Sequence, residues 1–505
     1  MSNITLKQST KNVAVNVGAK MIMMLLPFAI RSVIIYTLGT VYLGLDSLFA
    51  SILNMLSLSE LGFSSAIVYS MYKPVAEKDD RKVRALLAFY KKIYFIVGSV
   101  IMTAGLAIMP FIEFFIADGT PRPDGINIYI VYLILLINTG LSYFLFAYKS
   151  SILVATMRND VDAVIDLVRS LLSHGLQIVV LVIFQQYYLY IVVLPLITIA
   201  NNIARSIIID KRYPQYKGKE RLEKADKKDI MTRVGALVGN KIGGVVFISV
   251  DSIVISSFLG LTVLGKYTNY YTIFSAVYAI FSTAYTAIQS TVGNNLVRKS
   301  KEENYSLFRK LFMGNALLTC FCTCCFAFLF QPFMRLWVGQ ENLLGLSIPV
   351  LFAMYYFTKS TRRICFLFKE AAGMWREDWL KPYVSVICNL AVNILLVKLI
   401  GLPGVIISSV FALVFIETPW ETAVFFKKYF KRSAAQYIGN VFSLLLRTAV
   451  ALCIVNAISY PLTNIVSSDI LLLLIRTPTC LLATILVYLP TLKNLNLKNI
   501  KSLIK

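Results

Sequence analysis

Long, nearly unbroken apolar runs, separated by short polar connections, occupy the chain from residue 13 to residue 490. Each run is long enough to cross a hydrocarbon core as an α-helix. The runs are continuous rather than alternating, which excludes strands as the main element. Fourteen segments are predicted: 13–37, 46–71, 86–113, 126–148, 161–184, 188–210, 234–259, 267–294, 306–331, 343–369, 379–400, 404–426, 437–460 and 467–490. The pattern therefore predicts an all-α polytopic membrane protein. The first segment is too long for a cleavable signal peptide and lacks a small-residue cleavage site, so it is expected to stay as the first helix.

The segments repeat once. Leu38-Gly39 and Leu43-Gly44 recur as Leu259-Gly260 and Leu264-Gly265, 221 positions on, and Lys20 recurs as Lys241 at the same offset. Met157-Arg158-Asn159-Asp160 echoes Trp375-Arg376-Glu377-Asp378 at an offset of 218, and Lys211-Arg212-Tyr213 echoes Lys427-Lys428-Tyr429 at 216. This layout predicts an N-lobe over 1–215, a linker over 216–233, a C-lobe over 234–432, two further helices over 433–490 and a basic tail over 491–505. Duplicated helical bundles with a central site are the usual plan of secondary transporters. Transport, rather than catalysis, is the expected activity.

Composition agrees with the class: 57% of residues are hydrophobic and the mean hydropathy is +0.70. The net charge of +24 raises the question of nucleic acid, but its placement argues for orientation instead. Connections on the side of the N-terminus, counted with the adjoining segment ends at Lys91, Lys92, Arg309, Lys310, Lys369 and Lys381, carry 36 of the 50 Lys and Arg, and those on the other side carry three, Arg122, Lys266 and Arg335. This asymmetry predicts both termini in the cytoplasm and contact with anionic lipid. Nucleic acid is not an expected partner.

Other features narrow the class. Cys320, Cys322, Cys324 and Cys325 crowd one apolar segment with no His or acid nearby, so packing rather than metal binding is expected. Connections on the outer side are short. The longest, 114–125, carries Asp118 and Asp124. A membrane enzyme for lipid-linked glycans would need a larger outer loop with paired carboxylates. The inner connection 211–233 interleaves Lys and Arg with Glu and Asp and is expected to be a solvated, partly helical linker.

Ionisable residues inside the segments carry the candidate chemistry, because each is costly in hydrocarbon and must face a polar interior. In the first segment Asn16, Lys20, Pro27 and Arg31 step by 4, 7 and 4, which places them on one helical face. Asn240, Lys241 and Asp251 occupy the repeat mate. Lys20, Lys241 and Arg31 also lie near enough to the segment ends to snorkel. Glu60 sits mid-span, where pairing with Arg31 or Lys20 competes with a coupling role. The fifth segment carries Asp162, Asp166, Arg169 and His174, with Asp166 and Arg169 spaced to pair. The sixth carries Asn201, Asn202 and Arg205, the tenth Lys359, Arg362 and Arg363, and the twelfth Glu417 and Glu421.

Intramembrane cations outnumber acids, eleven against six away from the outer ends. Excess positive charge in a poorly polarisable cavity calls for an anion such as a diphosphate. One pair at 4 Å gains on the order of 4 kcal/mol before desolvation, and Arg adds forked hydrogen bonds to phosphate. Lys20, Arg31, Lys241, Arg205 and Arg363 are therefore expected to bind the substrate's diphosphate or sugars. Glu60, Asp251 and Asp166 are expected to serve ion coupling or charge pairing. No cofactor or metal is expected; a sodium or proton gradient would supply the drive.

The stretches Tyr42-Leu43-Gly44-Leu45-Asp46-Ser47-Leu48-Phe49, Leu56-Ser57-Leu58-Ser59-Glu60-Leu61-Gly62-Phe63 and Ala66-Ile67-Val68-Tyr69-Ser70-Met71-Tyr72-Lys73-Pro74 resemble the Gram-positive capsule and exopolysaccharide flippases. These are polysaccharide transporters of the multidrug/oligosaccharidyl-lipid/polysaccharide (MOP) exporter superfamily. The resemblance covers the chain from Asn12 to the last helix, including the layout of twice six helices plus two. It implies a Wzx-type role in the bacterial cytoplasmic membrane: moving an undecaprenyl-diphosphate-linked oligosaccharide between leaflets by alternating access of two lobes. It also implies a glycan polymerase and glycosyltransferases as pathway partners. A lipid II flippase, a multidrug antiporter, a membrane glycan enzyme and a non-transporting scaffold are the alternative readings.

Overall fold

The computed structural model describes residues 3–57, 63–218, 220–374, 376–466 and 468–493. Among them the regular structure is helical throughout, with eighteen α-helices. The first ten are α1 (Asn3–Thr37), α2 (Thr40–Leu56), α3 (Phe63–Glu77), α4 (Asp80–Ile108), α5 (Ile128–Phe144), α6 (Ser150–Ala155), α7 (Asn159–Phe184), α8 (Tyr187–Arg212), α9 (Lys224–Leu259) and α10 (Leu261–Arg298). They are followed by α11 (Lys301–Val338), α12 (Ser347–Thr361), α13 (Arg363–Ala371), α14 (Lys381–Ile400), α15 (Leu402–Phe411), α16 (Thr418–Phe425), α17 (Ala435–Ile465) and α18 (Asp469–Lys493).

Ten helical stretches among the described residues are long and apolar enough to cross a membrane, and a bent pair makes eleven. The chain is thus a multi-pass membrane protein. Among the described residues the apolar segments read from the sequence fall on helix, but three are not a single uninterrupted span and a fourth is part of a longer helix. The segment 46–71 divides between α2 and α3, and 343–369 between α12 and α13. The segment 126–148 bends by 46° between α5 and residues 147–155, where Phe146 adopts a left-handed backbone with φ 57°. The segment 234–259 is the distal part of α9. Hydropathy reports where apolar residues lie, not where the backbone turns, so it could not separate these pieces.

Several helices are polar inside and apolar outside, as a hydrocarbon solvent demands. On α14 the buried residues Lys381, Ser385, Asn389, Asn393 and Val397 recur every four positions, while Ile387, Leu395 and Leu399 are exposed. On α7, Ser170, Ser173 and Gln177 are buried, while Leu172, Val179 and Val182 are exposed.

By compactness the chain forms two units, Met1–Thr268 and Asn269–Lys505. In the first, α1 lies along α7, α2 and α3 pack on α9, and α5 packs between α4 and α8. In the second, α11 is central, flanked by α12, α17 and α18, and α14 pairs with α15. Its core is an aromatic cluster in which Phe308 meets Phe425, Phe426 and Tyr437. Cys320 and Cys324 are buried in the same core.

Candidate functional site

At one end of the first unit, α1, α2, α8 and the start of α10 bring a polar cluster together. Arg31 donates from Nη1 to the Thr268 hydroxyl at 3.1 Å, and Ser47 donates to the same oxygen at 3.3 Å. Thr268 in turn donates to the Gly265 carbonyl at 3.0 Å. One residue before Ser47, the Asp46 carboxylate accepts from the Tyr187 hydroxyl and from the Tyr190 hydroxyl at 3.2 Å. Tyr187 and Tyr190 share a face of α8 because they are three residues apart, and their rings stack at 5.7 Å. Arg31 is close enough to Asp46 and Tyr190 to interact with both electrostatically. Arg31 is thus engaged inside the bundle rather than snorkelling from it.

The opposite end of the same bundle holds a charge triad. Arg205 on α8 reaches Asp166 at 2.6 Å and Asp162 at 3.4 Å, both on α7. Arg169, the sequence-predicted partner of Asp166, stands 3.9 Å from it. Two residues expected in different roles, Arg205 for substrate and Asp166 for coupling, therefore pair with each other. Asn202, buried beside them on α8, has an amide nitrogen without a hydrogen-bond partner among the described residues. His174 is held by the Ser170 carbonyl at 2.8 Å.

Lys20 is exposed on α1. Asp251 is buried on α9. The Lys241 side chain and Glu60 lie outside the described residues.

The second unit carries a larger network. Arg362 bridges Glu417 and Glu421, meeting the latter at 2.6 Å. Lys381 contacts Glu421 and lies 3.4 Å from Asp378, which also takes Lys369. Ser385 donates to Glu417 at 2.9 Å. Three cations and three acids thus neutralise one another, and Lys369, Lys381, Asp378 and Glu421 are all buried. A helix turn widened to π geometry, Ala412–Glu417, ends at one of these acids, a feature frequent at functional positions.

Arg363 departs from this pattern. Its guanidinium stands 5.8 Å from the Tyr285 ring centroid and 5.3 Å from that of Phe366. Among the described residues it makes no ion pair, and its Nε has no hydrogen-bond partner. One turn earlier, Lys359 lies over Tyr278, Tyr355 and Phe274 at 4.6, 5.4 and 5.6 Å. Ring faces attract a cation without neutralising it, and Glu370 is near enough to Arg363 to feel its charge.

The sequence reading counted Asp46 only as an acid near an outer end, missed Tyr187, Tyr190 and Thr268, and placed Lys369, Asp378 and Lys381 at the edge of a connection. The i, i+3 tyrosines after a turn were the available signal for the first group.

Comparison with solved structures shows which membrane fold these bundles form. A lipid II flippase, MurJ, in an inward closed conformation superimposes with a TM-score of 0.67 at 14% identity, covering 95% of this chain and 100% of that one. An inward-facing multidrug resistance MATE family transporter of the MOP superfamily gives 0.61 at 14% identity, covering 85% and 98%. A point mutant of the Vibrio cholerae MATE transporter VcmN gives 0.55 at 14% identity, covering 86% and 99%. The fold is that of these solved transporters. No curated protein sequence matches the chain. Residues 9–289 match the family described as "Polysaccharide biosynthesis protein", and the chain belongs to that family.

Proposed function

We propose that this protein is a flippase that moves undecaprenyl-diphosphate-linked oligosaccharide repeat units from the cytoplasmic to the outer leaflet of the bacterial cytoplasmic membrane. The product feeds capsule, exopolysaccharide or O-antigen synthesis, with a glycan polymerase and glycosyltransferases as pathway partners. Both termini are cytoplasmic in this reading, and lobes 1–215 and 234–432 alternate access. The observation that carries it is Arg363: an arginine at the start of the short helix α13, backed by aromatic rings, without an ion pair among the described residues. Such a group suits a diphosphate, and the flanking aromatics suit sugar rings and prenyl groups. Arg31, Lys20 and Lys241 supply further positive charge from the first repeat and its mate. Arg205 is already neutralised by two carboxylates, so it is assigned with Asp162 and Asp166 to conformational or ion coupling. Glu60 and Asp251 are assigned to coupling as well, with sodium or protons as the driving ion.

Transport of a fluorescent lipid-linked oligosaccharide in vesicles tests the reading. Gradient-dependent movement in the native protein and its loss in Arg363→Ala are expected. Full activity of Arg363→Ala would overturn it. The fold likeness to the lipid II flippase favours a second reading, with lipid II as cargo. Competition between the two lipids for transport separates them, and an antiporter of cationic drugs would respond to neither.

A further inference from the structure

A second polar feature lies outside both charged interiors. The first unit contains a cavity of about 1000 Å³ between α4, α6 and the connection after α8. That connection is exposed over most of its length, as expected, but is anchored to the bundle at several points. Arg84 of α4 donates to the Gln215 carbonyl at 3.0 Å and lies 3.6 Å from Glu220, and Lys82 meets Asp226 at 3.2 Å. Tyr213 reaches Thr156 at 3.0 Å, and Tyr216, Leu222 and Ile230 are buried.

The charge balance of the cavity is one-sided. Its two acids are satisfied: Asp210 by Lys149 at 2.7 Å, and Glu220 by Arg84. Lys91, Lys92, Lys217, Arg221 and Lys227 also line it, and none of these five forms an ion pair among the described residues. Phe95, 63% exposed on the apolar face of α4, forms part of the lining. Unpaired cations beside exposed apolar surface, on the face that the charge asymmetry assigns to the cytoplasm, match the chemistry of an anionic headgroup with its chains in the leaflet.

We propose that this cavity binds the phosphate headgroup of a membrane lipid from the inner leaflet. Tyr148 and Tyr213 line the same space and add hydroxyls beside the cations. Two lipids share this chemistry, a bulk anionic phospholipid and a polyprenyl diphosphate.

The test uses the purified full-length protein in detergent, titrated with phosphatidylglycerol or phosphatidylcholine, with thermal stability as the readout. Phosphatidylglycerol should raise Tm and phosphatidylcholine should not. Lys91→Ala/Lys92→Ala/Lys217→Ala should weaken the effect by roughly fivefold for each side chain removed. The charge-matched control Lys427→Ala/Lys428→Ala/Lys431→Ala, whose residues do not line the cavity, should leave it unchanged. Equal stabilisation of the native protein by the two phospholipids would overturn the proposal, as would equal weakening in the control. Farnesyl diphosphate identifies the source: displacement of phosphatidylglycerol at equal concentration assigns the cavity to the prenyl lipid, and failure to displace assigns it to phospholipid. Displacement by millimolar inorganic phosphate alone would overturn the requirement for a lipid. The measurement involves no transport, so its outcome is independent of the flippase reading.

Discussion

Arg362 and Arg363 are adjacent in the chain but opposite in environment: the first is held between Glu417 and Glu421, the second lies against the rings of Tyr285 and Phe366. Consecutive residues on a helix point about 100° apart, so one face of this segment is neutral and the next is cationic. Removing each side chain should therefore fail differently. Arg362→Ala leaves Glu417 without its cation and Glu421 with Lys381 alone, and should destabilise the protein by about 3–5 kcal/mol, the usual loss when one member of a buried charge network is removed. Arg363→Ala should leave the melting temperature near the native value and abolish transport. Thermal unfolding and vesicle transport on the same preparations distinguish the two.

Arg31 gives a second contrast. Arg31→Ala should abolish transport while the protein still inserts, and Arg31→Lys should recover it only in part, because an ammonium lacks the two-pronged guanidinium donor. Asp46→Ala leaves the Tyr187 and Tyr190 hydroxyls without their shared acceptor. Its loss should be about 1.5–3 kcal/mol of stability for each hydrogen bond to charge, read as a fall in melting temperature. Normal transport by Arg31→Ala would withdraw this arginine from the site.

Orientation is directly measurable. In a background stripped of native cysteines, a cysteine at position 119 should react with an impermeant maleimide added to intact cells, and one at position 225 should react only after lysis. Labelling of position 225 in intact cells would invert the assignment.

Asp118 and Asp124 are the acids of the longest outer connection. Asp124 is engaged through its backbone carbonyl, which accepts from Tyr42 at 3.3 Å. Replacing both with Asn should leave polymer output unchanged. Loss of polymer at normal expression would instead favour a membrane enzyme.

Helix positions were legible in the chain because a hydrocarbon solvent imposes the simplest of patterns, and the positions of α1, α7 and α11 needed nothing more. Which charges meet was not legible. The i, i+3 spacing of Asp166 and Arg169 suggested a pair, yet Arg205, 39 positions away, makes the shorter contact at 2.6 Å. Asp46 sits near the end of its segment, and its tyrosine donors lie 141 and 144 residues further on. Lys369, Asp378 and Lys381 read as a polar connection between apolar runs, but they are 1%, 1% and 5% exposed. Local polarity marks a residue as charged; only the fold determines whether that charge is buried against a partner.

The repeat that Gly44 and Gly265 mark in the sequence has a physical counterpart. A Cβ placed on Gly44 would run into the Leu261 carbonyl, and one on Gly265 into the Thr40 carbonyl. The starts of α2 and α10 thus cross backbone against backbone, each helix supplying the bare position that admits the other. Such a joint resembles a mortise cut from both sides. Enlarging either glycine should force the two helices apart, and a compensating trim on the opposite strut is closed off because glycine already stands there. The duplication therefore left a fixed point at which neither half has room to change.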